Sequence, residues 1–312
     1  MKKFLVLIGI ALFAIILLSI DFEKTIGIIL KADISFIFLA ILFSILTIFV
    51  RCLKWLLILR HENVQIGPWK VFKYYYIGIV FGTFTPGRLG EFAKALYLKE
   101  HGISKVLATV LIDRLTDIAV LFFMGLIASA IFSFYFGVAV FSFAMLAILL
   151  MAFIFSFYIF MQKPLLKRIM RPFYNYLVPE KFKRSLRQGF DSFMETSYSV
   201  LREKKLISIS GAISLASWAM MAFVFYLLAL SLNLSVPLDF TFLVVPISTL
   251  VMLVPISISG IGTRDAATIW LLSFVEIAKE SALALSLLYF FVSVIVAAFG
   301  LLLFIKSCEA LF

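Results

Sequence analysis

Phe84-Thr85-Pro86-Gly87-Arg88-Leu89-Gly90-Glu91 interrupts the apolar stretch 74–104 near its middle, and Lys94 follows one turn later. Pro86 offers no amide donor and disfavours helix at Thr85. Gly87 and Gly90 permit a tight backbone, and a helix is expected to resume at about Leu89 with Glu91 in its first turn. A second stretch, 240–280, repeats the chemistry. Pro255-Ile256-Ser257-Ile258-Ser259-Gly260-Ile261-Gly262-Thr263-Arg264-Asp265 again runs from proline through paired glycines to an arginine and an acid at a helix start. Thr263 or Ser259 is placed to cap that helix, and Pro246 adds a further irregular point. Broken backbone at membrane depth is tolerated only where protein buries it or where it lines a wet cavity. Neither stretch therefore reads as an ordinary span.

The surrounding sequence makes the membrane setting firm. The 312 residues are 64% hydrophobic and 14% charged, with mean hydropathy +1.14, too few charges to cover a water-facing surface. Six uninterrupted apolar runs, at about 4–20, 34–50, 106–134, 138–161, 206–232 and 282–305, have the length and character of spanning helices. The first is expected to be retained, since no small-x-small site follows it. The whole of 1–312 reads as a single polytopic domain, all-α and integral to the membrane. It has about six full spans and two broken or re-entrant hairpins.

The net charge of +11 is confined largely to a few connections, which fits the positive-inside pattern and not a nucleic-acid surface. Lys2 and Lys3 precede the first span. Arg51, Lys54, Arg60, Lys70 and Lys73 follow the second, and the segment 161–206 between the two halves is the most basic of all. These regions are expected on the cytoplasmic side, with the N-terminus there too, in the plasma membrane. Counting crossings, 74–104 enters from the cytoplasm and returns to it, whereas 240–280 enters from outside and returns outside. Hairpins of opposite orientation meeting near the midplane are a transporter arrangement. Within 161–206, Phe182, Leu186, Phe190, Phe193 and Leu201 share one helical face, predicting an amphipathic helix at the cytoplasmic interface.

The chemistry-bearing residues are few. Cys52 and Cys308, with His61 and His101, make neither a disulfide framework nor a metal-ligand spacing. No triad, Walker loop or nucleotide fingerprint is present, and Gly260-x-Gly262 lacks a strand–helix setting. No cofactor and no metal are expected. Arg88 and Arg264 stand beside helix N-termini, where exposed amides and a guanidinium suit a phosphate or carboxylate. Asp113-Arg114-Leu115-Thr116-Asp117 places two carboxylates one turn apart, in position to pair with Arg88 or Arg264. Arg51, Lys54 and Trp55 read as interfacial anchors at a span end.

At these residues the sequence resembles a known family. Arg51-x-x-Lys54-Trp55, Thr85 through Glu91, Asp113-Arg114-Leu115-x-Asp117 and Pro255 through Asp265 are similar to the flippase-type transmembrane domain of bacterial lysylphosphatidylglycerol synthetase, the multiple peptide resistance factor. The resemblance covers nearly the whole chain. It implies a domain that moves an anionic or aminoacylated lipid between leaflets, with Arg88, Glu91, Arg264 and Asp265 in its two motifs and Asp113, Arg114 and Asp117 beside them. The second motif departs from the family's Gly-x-Arg-Glu by ending in Gly-Thr-Arg-Asp. The family's soluble aminoacyl-transferase domain is not in this sequence, so lysine transfer is not implied.

The expected function is translocation of an anionic, aminoacylated or polyprenyl-phosphate lipid, not enzymatic catalysis. Arg88, Arg264, Gly87, Gly90, Gly260, Gly262 and Thr263 are the expected headgroup contacts. Glu91, Lys94, Asp113, Arg114, Asp117 and Asp265 are the pairing or gating charges, and Pro86 and Pro255 are the helix breakers. Membrane lipids are the expected partners, with a lipid-synthesising enzyme as a further one. The alternative is a membrane scaffold or accessory subunit for a lipid-modifying or glycosyl-transferring enzyme.

Overall fold

The computed structural model describes residues 20–83, 85–137, 151, 158, 162, 168, 180–253 and 260–308. The described residues are helical and contain no strand. In chain order they form α1 (Phe22–Leu30), α2 (Ile34–His61), α3 (Pro68–Thr83), a 3₁₀ helix (Pro86–His101) and α4 (Ile103–Phe136). Then follow α5 (Glu180–Arg202), α6 (Lys204–Ser231), α7 (Leu238–Leu253), α8 (Thr263–Leu272) with a 3₁₀ turn at Ser273–Val275, and α9 (Lys279–Cys308). Helices α2, α4, α6 and α9 are long and apolar enough to cross a membrane. The runs at 4–20 and 138–161 lie almost wholly outside the described residues.

Local chemistry sets the helix ends. Asp33 caps α2 by accepting from the Ser35 amide at 2.8 Å, and Asp21 caps α1 by accepting from Lys24 at 3.0 Å; each satisfies an amide with no intrahelical partner. The connection 21–33 thus contains a short helix, which a polar cap followed by Ile26, Ile28 and Ile29 makes intelligible. Helix α7 runs on through Pro246, so the break of the second interrupted stretch comes after Leu253 and not at that proline. In the first, the chain turns after Thr83 and re-enters helix at Pro86, tighter and three residues earlier than Leu89.

Both interrupted stretches are hairpins. Helix α3 has 16 residues, about 24 Å of α-helix, short of a hydrocarbon core of about 30 Å. It packs along the 3₁₀ helix, and both open toward the end where α2 finishes and α4 begins. The second hairpin, α7 and α8, opens toward the opposite end. Its direction follows from the Asp33 amide, which donates to the Ser231 carbonyl at 2.8 Å and so places the start of α2 beside the finish of α6. Leu283, near the start of α9, packs on Ile20 beside α1 at that same end.

The two hairpins belong to an inverted repeat with a fixed displacement of 170 residues. Helix α2 spans 34–61 and α6 spans 204–231, while α3 spans 68–83 and α7 spans 238–253. Even the turns correspond. Asn63 and Asn233 have φ of 57° and 54°. The next amide closes each helix, Val64 onto Leu59 at 2.9 Å and Leu234 onto Ala229 at 3.0 Å. Asparagine tolerates the left-handed conformation that such a helix exit requires.

A single large apolar core joins residues of α2, α3, α4, α6, α7, α8 and α9. Tyr76 of α3 donates to the Val296 carbonyl of α9 at 2.6 Å. Phe132 of α4 meets Trp270 and Phe274 of the second hairpin, with ring centroids 6.0 and 4.9 Å apart. The expected amphipathic helix is α5. Part of its apolar face is docked on protein: Met194 and Val200 are fully buried, and Val200 packs with Ile58 of α2 and Ile112 of α4. The side chains of Phe182 and Leu186 lie outside the described residues.

Candidate functional site

Arg51, Lys54 and Trp55 share one face of α2 by their three- and four-residue spacing. The structure overturns their reading as interfacial anchors. Helix α2 continues to His61, so they lie inside the protein, with Arg51 7% exposed and Lys54 and Trp55 fully buried. Lys54 Nζ lies 3.1 Å from Asp113 Oδ1 and 2.5 Å from Asp117 Oδ1. It also donates to the Asp113 carbonyl at 2.8 Å, to Thr116 at 3.3 Å and, across to α6, to Ser214 at 3.1 Å. Ser214 donates in turn to Asp117 Oδ1 at 2.6 Å, and Trp218 Nε1 to the Asp117 carbonyl at 3.2 Å. This one ammonium group thereby ties α2 to α4 and α6.

The first hairpin adds its own charges. Lys94, on the 3₁₀ helix, pairs with Asp113 Oδ2 at 2.8 Å. Its ammonium lies over the rings of Tyr75 and Trp55, at 3.8 and 4.5 Å from the centroids. Glu91 is gripped by Arg114. Arg114 also reaches Asp117 Oδ2 at 3.8 Å. Gly90 makes this hairpin possible: a Cβ there would strike the Phe81 carbonyl of the opposing limb. Asp113 and Asp117 therefore pair with Lys54, Lys94 and Arg114, and not with Arg88 or Arg264 as the spacing suggested. A sequence gives no distances between elements, and of the two lysines only Lys94 is expected among the pairing charges, Lys54 being assigned to a span end.

Two cations are left poorly matched. Arg51 Nε and Nη2 are buried without a hydrogen-bond partner, and its guanidinium sits 4.9 Å over the Trp218 ring. Arg88, at the hairpin tip, has φ of 56°, a conformation that costs a non-glycine residue about 1 kcal/mol or more. Its carboxylate contact is Glu91, at 4.0 Å. Arg88 lies among protein charges, within electrostatic reach of Arg51, Arg114, Tyr75 and Tyr289, yet its side chain is 43% accessible. The Tyr75 hydroxyl, fully buried and also without a partner, lies among the same charges.

The described part of the second hairpin is held by its own charges. Residues 254–259, with Pro255, Ser257 and Ser259, lie outside the described residues. Gly262 has φ of 87°, which glycine adopts without a Cβ penalty. It precedes α8, and its amide donates to Asp265 Oδ2 at 2.9 Å. Asp265 thus performs the capping assigned above to Thr263 or Ser259, and Thr263 is instead the first helical residue. Arg264 Nη2 binds Asp265 Oδ1 at 2.8 Å and the Ser286 carbonyl at 3.1 Å, and Ser286 Oγ donates to Asp265 Oδ1 at 2.6 Å. Arg264 and Asp265 are buried at 6% and 0% exposure. Tyr289 lies within electrostatic reach of Arg264, Arg88 and Arg51, with the Arg264 guanidinium 5.9 Å from its ring centroid. Among the described residues no group of His, Cys, Asp and Glu is arranged to hold a metal.

Arg51, Lys54, Tyr75, Ser214 and Tyr289 are the members of this cluster that sequence reasoning missed as site residues. A signal for the first two was present, because Leu56-Leu57-Ile58-Leu59 resumes the apolar run after Trp55 and carries the helix onward.

The residues 6–300 match the model of the lysylphosphatidylglycerol synthase TM region. A UPF0104 membrane protein of Pyrococcus horikoshii is 30% identical over 307 residues, covering 92% of this chain and 90% of its own. A UPF0104 membrane protein of Methanothermobacter thermautotrophicus is 22% identical over 296 residues, covering 90% and 87%. With its inverted hairpins and nearly its full length matched, the chain belongs to the lysylphosphatidylglycerol synthase transmembrane-region family.

Proposed function

We propose that this protein is a lipid translocase, a carrier and not an enzyme, that moves a lipid with an anionic headgroup between leaflets. The observation that carries the proposal is Arg51, a buried guanidinium with no ion pair within 4 Å and two nitrogens without a hydrogen bond, beside the accessible Arg88. An unpaired cation in a water-poor interior costs several kcal/mol. A site that retains one is built to receive an anion, and guanidinium groups suit phosphate oxygens. Arg88, Arg51 and the Tyr75 hydroxyl hold the headgroup, while the lipid tails stay in the bilayer beside the protein. Arg264 and Asp265 brace the second hairpin tip and position Tyr289. The ion pairs of Lys54, Lys94, Arg114, Glu91, Asp113 and Asp117 close the cavity behind the headgroup. The inverted repeat supports this reading, since such repeats provide alternating access around a site at their interface.

The orientation follows from charge. Arg60, Lys70, Lys73, Lys99, Lys105, Arg202, Lys204 and Lys205 gather at the end onto which the first hairpin opens. That end is cytoplasmic by the positive-inside pattern, with the protein in the plasma membrane and its N-terminus inside.

The test is a leaflet-accessibility assay on the purified protein in liposomes holding fluorescent anionic, aminoacylated and polyprenyl-phosphate lipids. Protein-dependent movement of one class, lost in folded Arg88→Ala and Arg51→Ala and reduced in Arg264→Ala, is the expected result. No movement of any class by correctly folded protein refutes translocation and favours a scaffold for a lipid-synthesising enzyme.

A further inference from the structure

The charge of the cluster around Arg51 and Arg88 specifies more than an anion. Its cations are Arg51, Lys54, Arg88, Lys94 and Arg114, and its carboxylates are Glu91, Asp113 and Asp117. Every carboxylate is already engaged: Glu91 by Arg114, Asp113 by Lys54 and Lys94, Asp117 by Lys54 and Arg114. The neighbouring Arg264 and Asp265 neutralise each other. Two positive charges are left over, and the geometry locates them. Arg51 makes no ion pair within 4 Å, its electrostatic contact being an Asp117 that Lys54 and Arg114 already hold, and Arg88 has a 4.0 Å contact with a Glu91 that Arg114 already holds.

A phosphodiester headgroup carries one negative charge and offsets one of the two. An aminoacylated headgroup brings an ammonium and worsens the excess. A phosphomonoester carries about −1.5 to −2 near neutral pH and presents three terminal oxygens. That is enough to meet both guanidinium groups and to accept from the Tyr75 hydroxyl, which lacks an acceptor. We infer that the ligand is a lipid whose headgroup ends in a phosphomonoester, as in a polyprenyl phosphate, a lipid diphosphate or a phosphatidic acid. That the phosphate is borne on a lipid rests on the translocation reading; the charge preference rests on the cluster alone.

The experiment compares binding of dioleoyl phosphatidic acid and dioleoyl phosphatidylglycerol, with identical tails, to the full chain in uncharged micelles, followed by tryptophan fluorescence. Polyprenyl phosphate and lysylphosphatidylglycerol are run alongside. At about pH 7.5 the phosphomonoester lipids are expected to bind about 10- to 100-fold tighter, as one additional unscreened charge implies. Lowering the pH to about 5 takes the phosphomonoester through its second ionisation near 6 and brings the ratio toward one. Phosphatidylglycerol does not titrate in this range, so it reports any change in Glu91, Asp113, Asp117 or the rest of the protein. This comparison needs no variant. Folded Arg51→Gln and Arg88→Gln should each lower the ratio at the higher pH.

Equal affinity for phosphatidylglycerol at pH 7.5, or a ratio that ignores pH, overturns the inference. Inorganic phosphate at matched concentration should not displace phosphatidic acid; if it does, the lipid assignment falls. Preferential binding of phosphatidic acid with no movement in liposomes would remove translocation and leave the charge preference standing. Movement of phosphatidylglycerol with equal affinities would do the reverse.

Discussion

Replacing Lys54 by methionine keeps most of the side chain's volume and deletes its charge, so it isolates the electrostatic role of the group that joins α2, α4 and α6. Lys54 is fully buried and lies 3.1 and 2.5 Å from the two aspartates. Removing one partner of a buried pair typically costs about 3–5 kcal/mol, because the other charge is left without compensation. Here the aspartates keep some support. Asp113 retains Lys94 at 2.8 Å, and Asp117 retains the Ser214 hydroxyl at 2.6 Å and Arg114 at 3.8 Å. The low end, about 3 kcal/mol, is therefore expected. For a chain of this size that corresponds to a melting temperature lower by about 6 °C. The assay is thermal unfolding in detergent. Lys54→Met is compared with Asp117→Asn and the double variant, and with Arg60→Met on the exposed end of α2 as a control. The double variant should be less destabilised than the sum of the singles by about 1–3 kcal/mol, since both remove the same interaction. A Lys54→Met protein that melts within about 1 °C of the parent, or single effects that simply add, would refute the claim that this network holds the three helices together.

Other expectations follow from single contacts. Gly90→Ala drives a Cβ into the Phe81 carbonyl across the hairpin and should cost about 1–3 kcal/mol by thermal unfolding. Gly27→Ala in α1, with nothing within 4 Å, should be neutral or slightly stabilising. Tyr76→Phe removes the 2.6 Å bond to the Val296 carbonyl and leaves that acceptor buried, for a loss of about 1–2 kcal/mol in the same measurement. In a background lacking the two native cysteines, Arg88→Cys should react with a small charged thiol reagent while Lys54→Cys resists it; equal protection of both would remove the accessible headgroup site proposed at Arg88. Asp265→Asn weakens both the Gly262 cap and the Arg264 pair, and should slow lipid movement in liposomes while the phosphomonoester preference persists.

The parts of this architecture that were legible in the sequence are those written locally. Pro86 with Gly87 and Gly90 announces a break in one apolar stretch, and the Pro255-to-Gly262 segment does so in the other. The basic connections orient the spans between them, so hairpins of opposite sense follow from counting. Partner choice is not written locally. Lys54 finds Asp113 at a separation of 59 residues and Ser214 at 160, and no spacing rule reaches that far. The misreading of Arg51, Lys54 and Trp55 has a specific cause. Cations and tryptophan at the end of an apolar run are ordinary anchors, and only the four apolar residues after Trp55 reveal that the run has not ended. Docking of α5 on α4 was illegible for the same reason as the ion pairs: amphipathicity names a face but not what covers it.

The repeat shows how one backbone can be used twice with its chemistry divided. The 170-residue displacement maps Arg51 onto Met221 and Lys54 onto Val224. The second repeat therefore has the same helix lengths and asparagine turn without the two charges of α2. What it contributes from α6 is complementary: Ser214 donates to Asp117, and Trp218 receives the guanidinium of Arg51 on its ring. In its hairpin Arg264 pairs closely with Asp265, whereas Arg88 in the first has a carboxylate contact of 4.0 Å and stays accessible. If the repeats were chemically equivalent, exchanging their conformations would give two sites of equal affinity related by a pseudo-two-fold axis. On the translocase proposal, the charge on one side assigns the headgroup site to the first repeat and leaves the second as the wall against which it would open and shut. That asymmetry is why substitutions in the Arg88 cluster should change which lipid is bound, while substitutions at the Arg264 tip should change how fast it moves.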